Sequence, residues 1–204
     1  MSKLKYLALA LPFILGACAP MQTTLIDPRA DRSAIGMGLD SRDFDQAASK
    51  VVKDMLKSGA LDKPQGGRYV VVMSRVSNDT MQRIDTDQLI KNIRVALLNS
   101  GKVVFTTAIV NSARGAEDNM SMQVRQLRAS QEFNQANVPR QGQMVAPELS
   151  LSGKFLQNNN RLGDGSQRVD YSFQLTITDL RTGLAFWEGN EPISKLGPGQ
   201  TVAW

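Results

Sequence analysis

The most reactive side chain in this sequence is its single thiol, Cys18. It follows a positively charged start and an apolar run over residues 7–15 that is interrupted by Pro12. A positive segment, a short apolar segment and small residues at the end are typical of an export signal. The run is too short to span a bilayer, which takes about 20 apolar residues. We therefore expect residues 1–17 to be a signal peptide.

The residues that end at this thiol, LGAC at positions 15–18, resemble the bacterial lipobox. In that motif the cysteine takes a diacylglycerol and becomes the new N-terminus, and the mature lipoprotein carries three acyl chains. Two or more chains hold a protein firmly on a membrane. Ala19 stands where enteric lipoproteins retained at the inner membrane have Asp. The resemblance implies lipid attachment at Cys18 and a place on the periplasmic face of the outer membrane, whereas the alternative is a free cysteine beside an ordinary cleavage site.

The composition removes several classes of chemistry. The chain has no histidine, so Ser-His-Asp catalysis, Cys-His catalysis and His-ligated zinc are excluded. If the only cysteine carries lipid, no disulfide or thiolate metal site remains. The formal charge of +5 falls to about +3 when Lys3 and Lys5 leave with the signal, and there is no Lys/Arg run. We expect no cofactor, no metal, no small-molecule substrate and no nucleic-acid partner.

Carboxylates are the remaining candidates for catalysis, because the periplasm contains glycan. Glycoside hydrolysis needs two carboxylates facing each other across a cleft, about 5 to 10 Å apart. The visible acids lie in predicted loops and turns, where closeness in sequence does not supply that geometry: Glu117, Asp118, Asp164, Glu188 and Glu191. An enzyme acting on wall polymer is therefore the least favoured hypothesis, and we assign no catalytic residue.

Regular structure is expected to begin near residue 41. Residues 18–40 show no period and contain Pro and Gly, so they are predicted to be a flexible tether with a span of about 25 Å. A helix follows, with Asp43 as N-cap, Gln46 completing a capping box and Gly59 beyond its end. Its apolar face has helical spacing: Phe44, Ala47, Ala48, Val51, Val52, Met55 and Leu56.

The middle of the chain predicts a βαβ unit. Residues 69–76 (YVVVMSRV) form a nearly continuous β-branched run, which is typical of a strand covered on both faces. Residues 77–80 read as a turn. A helix then opens at Asp85 or Thr86 and ends before Gly101, and residues 102–107 (KVVFTT) form a second strand. A third helix is expected between residues 121 and 134.

The last third alternates between apolar and polar residues over 149–155 and 169–177, with a turn-rich segment at 158–167 between them. After another turn at residues 179–183, a last strand contains Phe186, with Trp187 on the opposite face. The predicted order is α-β-α-β-α-β-β-β. This order indicates an α/β (α+β) fold, a single domain over residues 41–204 with a mixed four- to five-stranded sheet and about three flanking helices.

Residues 76–80 (VSNDT), 97–103 (LLNSGKV) and 179–184 (DLRTGL) with Phe186 and Trp187 resemble motifs of the LpoB family of outer-membrane lipoproteins. The likeness covers roughly residues 40–195. It implies a protein that is not an enzyme and that binds and activates a class A penicillin-binding protein, a bifunctional peptidoglycan synthase. Enteric members have a long Pro-rich tether, whereas this tether is short. The alternative is an assembly lipoprotein related to curli-export or flagellum-associated proteins, without a synthase partner.

Candidate partner-binding residues lie near the end of the first strand: Arg75, Asn78, Asp79 and Arg83. Loop ends at the edge of an α/β sheet are favoured binding places. The alternative is a solvated turn in which Asn78 or Asp79 caps its own backbone. Trp187 is a candidate anchor because Trp is enriched at binding hot spots, and the favoured alternative is a core or half-buried residue. Basic residues near the third helix suit either an interface or a solvated face: Arg114, Arg125, Arg128 and Arg140.

Overall fold

The structure is a computed structural model that describes Leu25, Asp27 and residues 36–109 and 118–201. Its elements follow the order α1 (Ser41–Lys57), β1 (Tyr69–Asp79), α2 (Thr86–Asn99), β2 (Val103–Phe105), α3 (Met120–Gln126), β3 (Leu149–Arg161), β4 (Ser166–Asp179) and β5 (Ala185–Pro198). The predicted α+β class and element order are confirmed. Within the described ranges, no helix combines the length and apolarity that crossing a membrane requires.

The five strands form one mixed sheet in the order β2-β1-β3-β4-β5. β1 pairs in parallel with β2 and with β3, so β1, α2 and β2 form the predicted βαβ unit. β3, β4 and β5 are antiparallel, and the β3–β4 pairing runs without a register break from Leu149–Asp179 to Arg161–Gln167. The long hairpin predicted from the alternating pattern is therefore present.

The hydrophobic core lies between one face of this sheet and the first two helices. α1 buries its apolar stripe against α2, β4 and β5, and α2 packs on β1 and β2. Phe155 and Phe173 stack across β3 and β4 with ring centroids 4.5 Å apart, and Phe44 meets Phe155 edge-on at 5.3 Å. These contacts explain why alternate residues of β3 and β4 are buried.

Two expectations about β1 are wrong. The strand is not covered on both faces: Val71 and Met73 are buried, but Val70 and Val72 are only half-buried, because α1 and α2 pack on the same side of the sheet. The strand also runs through the predicted turn to Asp79. It bends at an irregularity between Met73 and Val76 and then continues to pair with β3.

The helix ends agree with the sequence in part. Asp85, one of the two residues expected to open α2, is its N-cap, and Gly101 follows with φ 72°, as expected. The N-cap of α1 is Asp40 rather than Asp43: one Asp40 carboxylate oxygen accepts the amide of Asp43 at 3.1 Å, and Asp43 accepts the amide of Asp40 at 2.9 Å. The partner in the capping box is thus Asp43, not Gln46. α3 ends at Gln126, well short of residue 134, because it buries no side chain.

Residues 36–40, which we call the strap, precede α1 and pack against the sheet. Met37 and Leu39 are buried, and the Met37 side chain lies over Gly197 of β5. The strap is part of the segment expected from sequence to be tether. Cys18 and the rest of the signal and tether region up to residue 35 lie outside the described residues, apart from Leu25 and Asp27.

Candidate functional site

Asn78 organises the loop that follows β1. Its side-chain oxygen accepts the amide of Thr80 at 3.1 Å and the Thr80 hydroxyl at 2.7 Å, while its amide nitrogen donates to the carbonyl of Gln82 at 2.8 Å. These bonds form an Asx-type turn, which is the self-capping arrangement that the sequence left open. Asn78 therefore fixes the shape of the loop with its polar groups.

The charged residues of this region differ in how they are engaged. Asp79 forms an ion pair with Lys154 on β3 at 2.7 Å, and both side chains are about half exposed. Arg75 and Arg83 are exposed, and neither guanidinium makes a hydrogen bond or ion pair with another described residue. A guanidinium in this state can form a two-point contact with a carboxylate on another molecule. We call Arg75, Asn78, Asp79 and Arg83 the β1-end cluster.

Trp187 does not lie with the β1-end cluster. It is on β5, which two strands separate from β1, and it pairs with Ile177 of β4. Its indole runs along its own strand across Gly189, where an added Cβ would come within 2.3 Å of the ring. The ring is half-buried and packs against the core. Trp187 is therefore placed to stabilise the sheet and offers a partner only part of its surface.

An aromatic pair of exposed Phe186 and half-buried Tyr69 lies at the opposite end of β1 from the β1-end cluster. Phe186 is 44% exposed, and its ring meets Tyr69 edge-on with centroids 6.2 Å apart. Leu180 and Leu184 in the adjoining turn are also exposed. The sequence placed Phe186 and Trp187 on opposite faces of β5 but did not connect Phe186 with Tyr69, because that contact joins strands distant in sequence.

The Tyr69 ring also contacts a charged pair. The Lys63 ammonium lies 5.2 Å from the ring centroid and donates to both oxygens of Glu148 at 2.7 and 2.8 Å. This bond, aided by the amide of Val70, keeps the pKa of Glu148 below its ordinary value. The carboxylate is thus a structural acceptor that stays ionised near neutral pH.

The acids considered for glycan hydrolysis that the structure describes are engaged by other groups of the chain. Asp164 accepts the hydroxyl and amide of Ser166, and these bonds lower its pKa. Glu191 pairs with Lys50 at 2.6 Å. A general acid in glycoside hydrolysis needs a raised pKa, which is the opposite direction. Glu117 lies outside the described residues. The part of the chain that the structure describes also contains no group of three potential metal ligands.

The arginines near α3 mainly support their own segment. Arg125 donates to the carbonyl of Ser121 one turn earlier, and Arg128 donates to the carbonyl of Pro139 at 2.7 Å. Arg140 is exposed, and Arg114 lies outside the described residues. Two of these four guanidiniums are therefore engaged in holding the connection between β2 and β3.

Comparison with known proteins adds a family to this geometry. Residues 43–193, from the first turn of α1 into β5, match the sequence model described as peptidoglycan-synthase activator LpoB. The chain is similar to the solved LpoB C-terminal domain from Escherichia coli, with 16% identity and a TM-score of 0.45 over 75% of this chain and 99% of that one. For the LpoB C-terminal domain from Salmonella enterica the values are 18%, 0.43, 74% and 98%. For lipoprotein GNA1162 from Neisseria meningitidis they are 12%, 0.37, 63% and 83%. No curated protein matches the chain.

Proposed function

This chain belongs to the peptidoglycan-synthase activator LpoB family, and from that membership we propose that it binds a class A penicillin-binding protein and raises its activity. The observation that carries the proposal is the extent of the family match. It takes in α2, β1 to β4, nearly all of α1 and most of β5, so it covers the folded body and not one shared motif.

We propose further that Cys18 is acylated and holds the protein on the periplasmic face of the outer membrane. The lipobox-like residues 15–18 and the apolar run before them support this anchor. Three acyl chains would keep the protein on its membrane, because each buried methylene contributes about 0.8 kcal/mol. Function then depends on reaching a partner, and not on diffusion through the periplasm.

Activation of this kind needs binding but no chemistry on the activator. A protein that binds the active conformation of a synthase more tightly than the inactive one shifts the population toward the active form. The gain cannot exceed the ratio of the two affinities. We therefore propose that the chain acts as a binding module, with no catalytic residue, metal or cofactor of its own.

The contact surface that we propose includes the β1-end cluster. Arg75 and Arg83 carry the charges that are not engaged with described residues, while Asn78 and Asp79 hold the loop in shape. Charged residues of this kind speed association and select partners more than they add affinity. Trp187 is retained as a proposed contact through the exposed part of its ring.

The experiment uses the lipidated protein in detergent, mixed with each class A penicillin-binding protein of the same organism. We expect saturable binding by surface plasmon resonance and faster glycan polymerisation and peptide crosslinking. A Cys18→Ala variant should bind in solution as the wild type does, but fail to sediment with outer membranes from cells. Wild-type protein that binds none of the synthases, together with motility or fibre-assembly defects on deletion, would instead favour the assembly lipoprotein.

A further inference from the structure

The strap is held residue by residue, although it lies outside every helix and strand. The carbonyls of Gly36 and Gly38 accept from the Lys195 ammonium at 3.1 and 2.6 Å. The carbonyl of Met37 accepts the buried Tyr171 hydroxyl at 3.0 Å. The amide group of the Gln82 side chain bonds Leu39 twice, at 2.7 Å to its N–H and 2.7 Å to its carbonyl. Four successive residues are thus bound through their backbone.

Lys195 is the centre of this arrangement. Besides the two strap carbonyls, its ammonium contacts Asp43 in the first turn of α1 at 2.5 Å, and its side chain is only 10% exposed. Two of its three N–H donors are bonded to the strap carbonyls, and the Asp43 carboxylate compensates its charge. One side chain of β5 therefore joins the strap to α1. A buried ammonium is costly unless it is satisfied in this way, so the arrangement depends on the strap being in place.

The side chains of the strap add to these bonds. The Met37 sulfur rests over Gly197, where an added Cβ would lie 2.6 Å away, and Leu39 is buried against the core. The residues that hold the strap come from β4, β5 and the loop after β1, which are far apart in sequence. The strap consequently connects the N-terminal segment to three separate parts of the body.

We propose that the strap bears the load between the tether and the folded body, and that it opens before the body unfolds. Five residues released from it would add at most about 17 Å to the reach of the tether. The physical role rests on the proposed anchor at Cys18, because an anchored tether with a bound partner is pulled at Gly36. The strap has no ladder of backbone pairs, whereas β4 is paired along its length on both sides. Local opening at lower cost than global unfolding follows from that difference.

The test is single-molecule pulling of the mature chain, residues 18–204, made without acylation. One handle is attached through the thiol of Cys18, which is the natural point of load, and the other at the C-terminus. For the wild type we expect a small extension of at most about 17 Å, separate from and before the main unfolding step. In Lys195→Met, opening at the same force should be about tenfold faster, because charge-assisted bonds to two carbonyls are lost.

Two further variants keep this test falsifiable. Tyr171→Phe removes one hydroxyl and no charge, and it should accelerate strap opening while the main unfolding step remains. Lys50→Met is the matched control, because Lys50 also joins α1 to β5, through Glu191, but does not touch the strap. It should leave the early step unchanged. Unfolding of the wild type in a single step, or equal opening rates for wild type and Lys195→Met, would overturn the proposal.

Synthase binding separates this inference from the proposed function. The strap measurement uses the chain alone, so it stands or falls without a partner. Binding of Lys195→Met to the synthase in solution should equal that of the wild type, because no load acts there. A wild type that shows the early step but binds no synthase would contradict the proposed function and support the separate opening of the strap.

Discussion

Tyr171 carries a hydroxyl into the core, and its environment opposes ionisation. Burial raises the pKa of Tyr171 above its ordinary value, and the nearby Asp43 carboxylate raises it further. The neutral phenol is also the form that donates to the Met37 carbonyl. The side chain therefore serves the fold as a neutral donor, and alkaline conditions act against that state.

The first prediction concerns alkaline pH. The folded pKa of Tyr171 is above the unfolded value, so its contribution to stability is complete below about pH 10 and is lost as pH rises through the folded pKa. Above pH 10 the free energy of unfolding of the wild type should fall faster than that of Tyr171→Phe, by up to about 1.4 kcal/mol per pH unit. Urea melts at pH 8 to 11.5 measure the difference. Parallel curves would contradict the assignment.

The second prediction concerns the close contact between Gly189 and the Trp187 ring. Gly189→Ala should destabilise the protein by about 1–3 kcal/mol, because the added methyl overlaps the indole. In a Trp187→Ala background the same change should be neutral or slightly stabilising, since Ala is otherwise preferred to Gly in a strand. Thermal melts of the four proteins give the coupling energy. Additive effects of the two changes on the free energy of unfolding would show that the ring does not lie against Gly189.

Individual residues could be predicted from sequence where the interaction is local. Asp85 as the N-cap of α2, Gly101 beyond its end and the self-capping of Asn78 all depend on neighbours within four residues. Asp40 was missed as the cap of α1 because the glycines before it suggested tether. The role of Lys195 was not visible at all, since its acceptors lie more than 150 residues away in the chain.

At the scale of elements, β5 is a long edge strand that is protected by proline. Among the described strands it pairs only with β4. Pro192 and Pro198 have no N–H, so they are tolerated only where the backbone faces away from β4. Residues at even positions of β5 therefore direct their backbone polar groups away from β4. Pro192 interrupts the row of outward N–H groups near its middle, which hinders the addition of another strand.

The third prediction follows from that interruption. Pro192→Thr restores an N–H on the open edge and should raise the fraction of dimer or larger species in sedimentation velocity runs, relative to the wild type. Ser194→Thr is the control, because it introduces the same side chain at an outward position that already has an N–H. It keeps the hydroxyl that contacts Asp170. Equal association of all three proteins would contradict the protective role.

The elements themselves were predictable because their periodicity is strong. The helical stripe of α1 and the alternation of β3 and β4 reflect burial on one side of each element. What periodicity could not give is the side of the sheet that each helix covers, so β1 was expected to be buried on both faces. It also could not define α3, which has no buried face to create a pattern.

At the scale of the whole molecule, the fourth prediction tests the proposed contact surface. A double variant, Arg75→Glu with Arg83→Glu, should weaken synthase binding about tenfold, mainly through slower association. The control is Lys53→Glu with Arg181→Glu, which changes the net charge equally at exposed positions elsewhere. Binding kinetics and melting temperatures of both variants are compared with the wild type. Equal weakening by both would indicate a general charge effect and contradict a contact at the β1-end cluster.

With the anchor at Cys18 that we propose, the position of Met37 over Gly197 also determines how far each surface lies from the membrane. Phe186 lies 11 residues from Gly197 along β5, a distance of about 36 Å. Arg83 follows Gln82, whose side chain bonds Leu39, so Arg83 lies close to the strap. The sheet thus places its aromatic end about 36 Å from the strap, which exceeds the span of about 25 Å that the sequence predicts for residues 18–40. The distance of a partner from the anchoring membrane would then decide which of the two ends of this molecule it can contact.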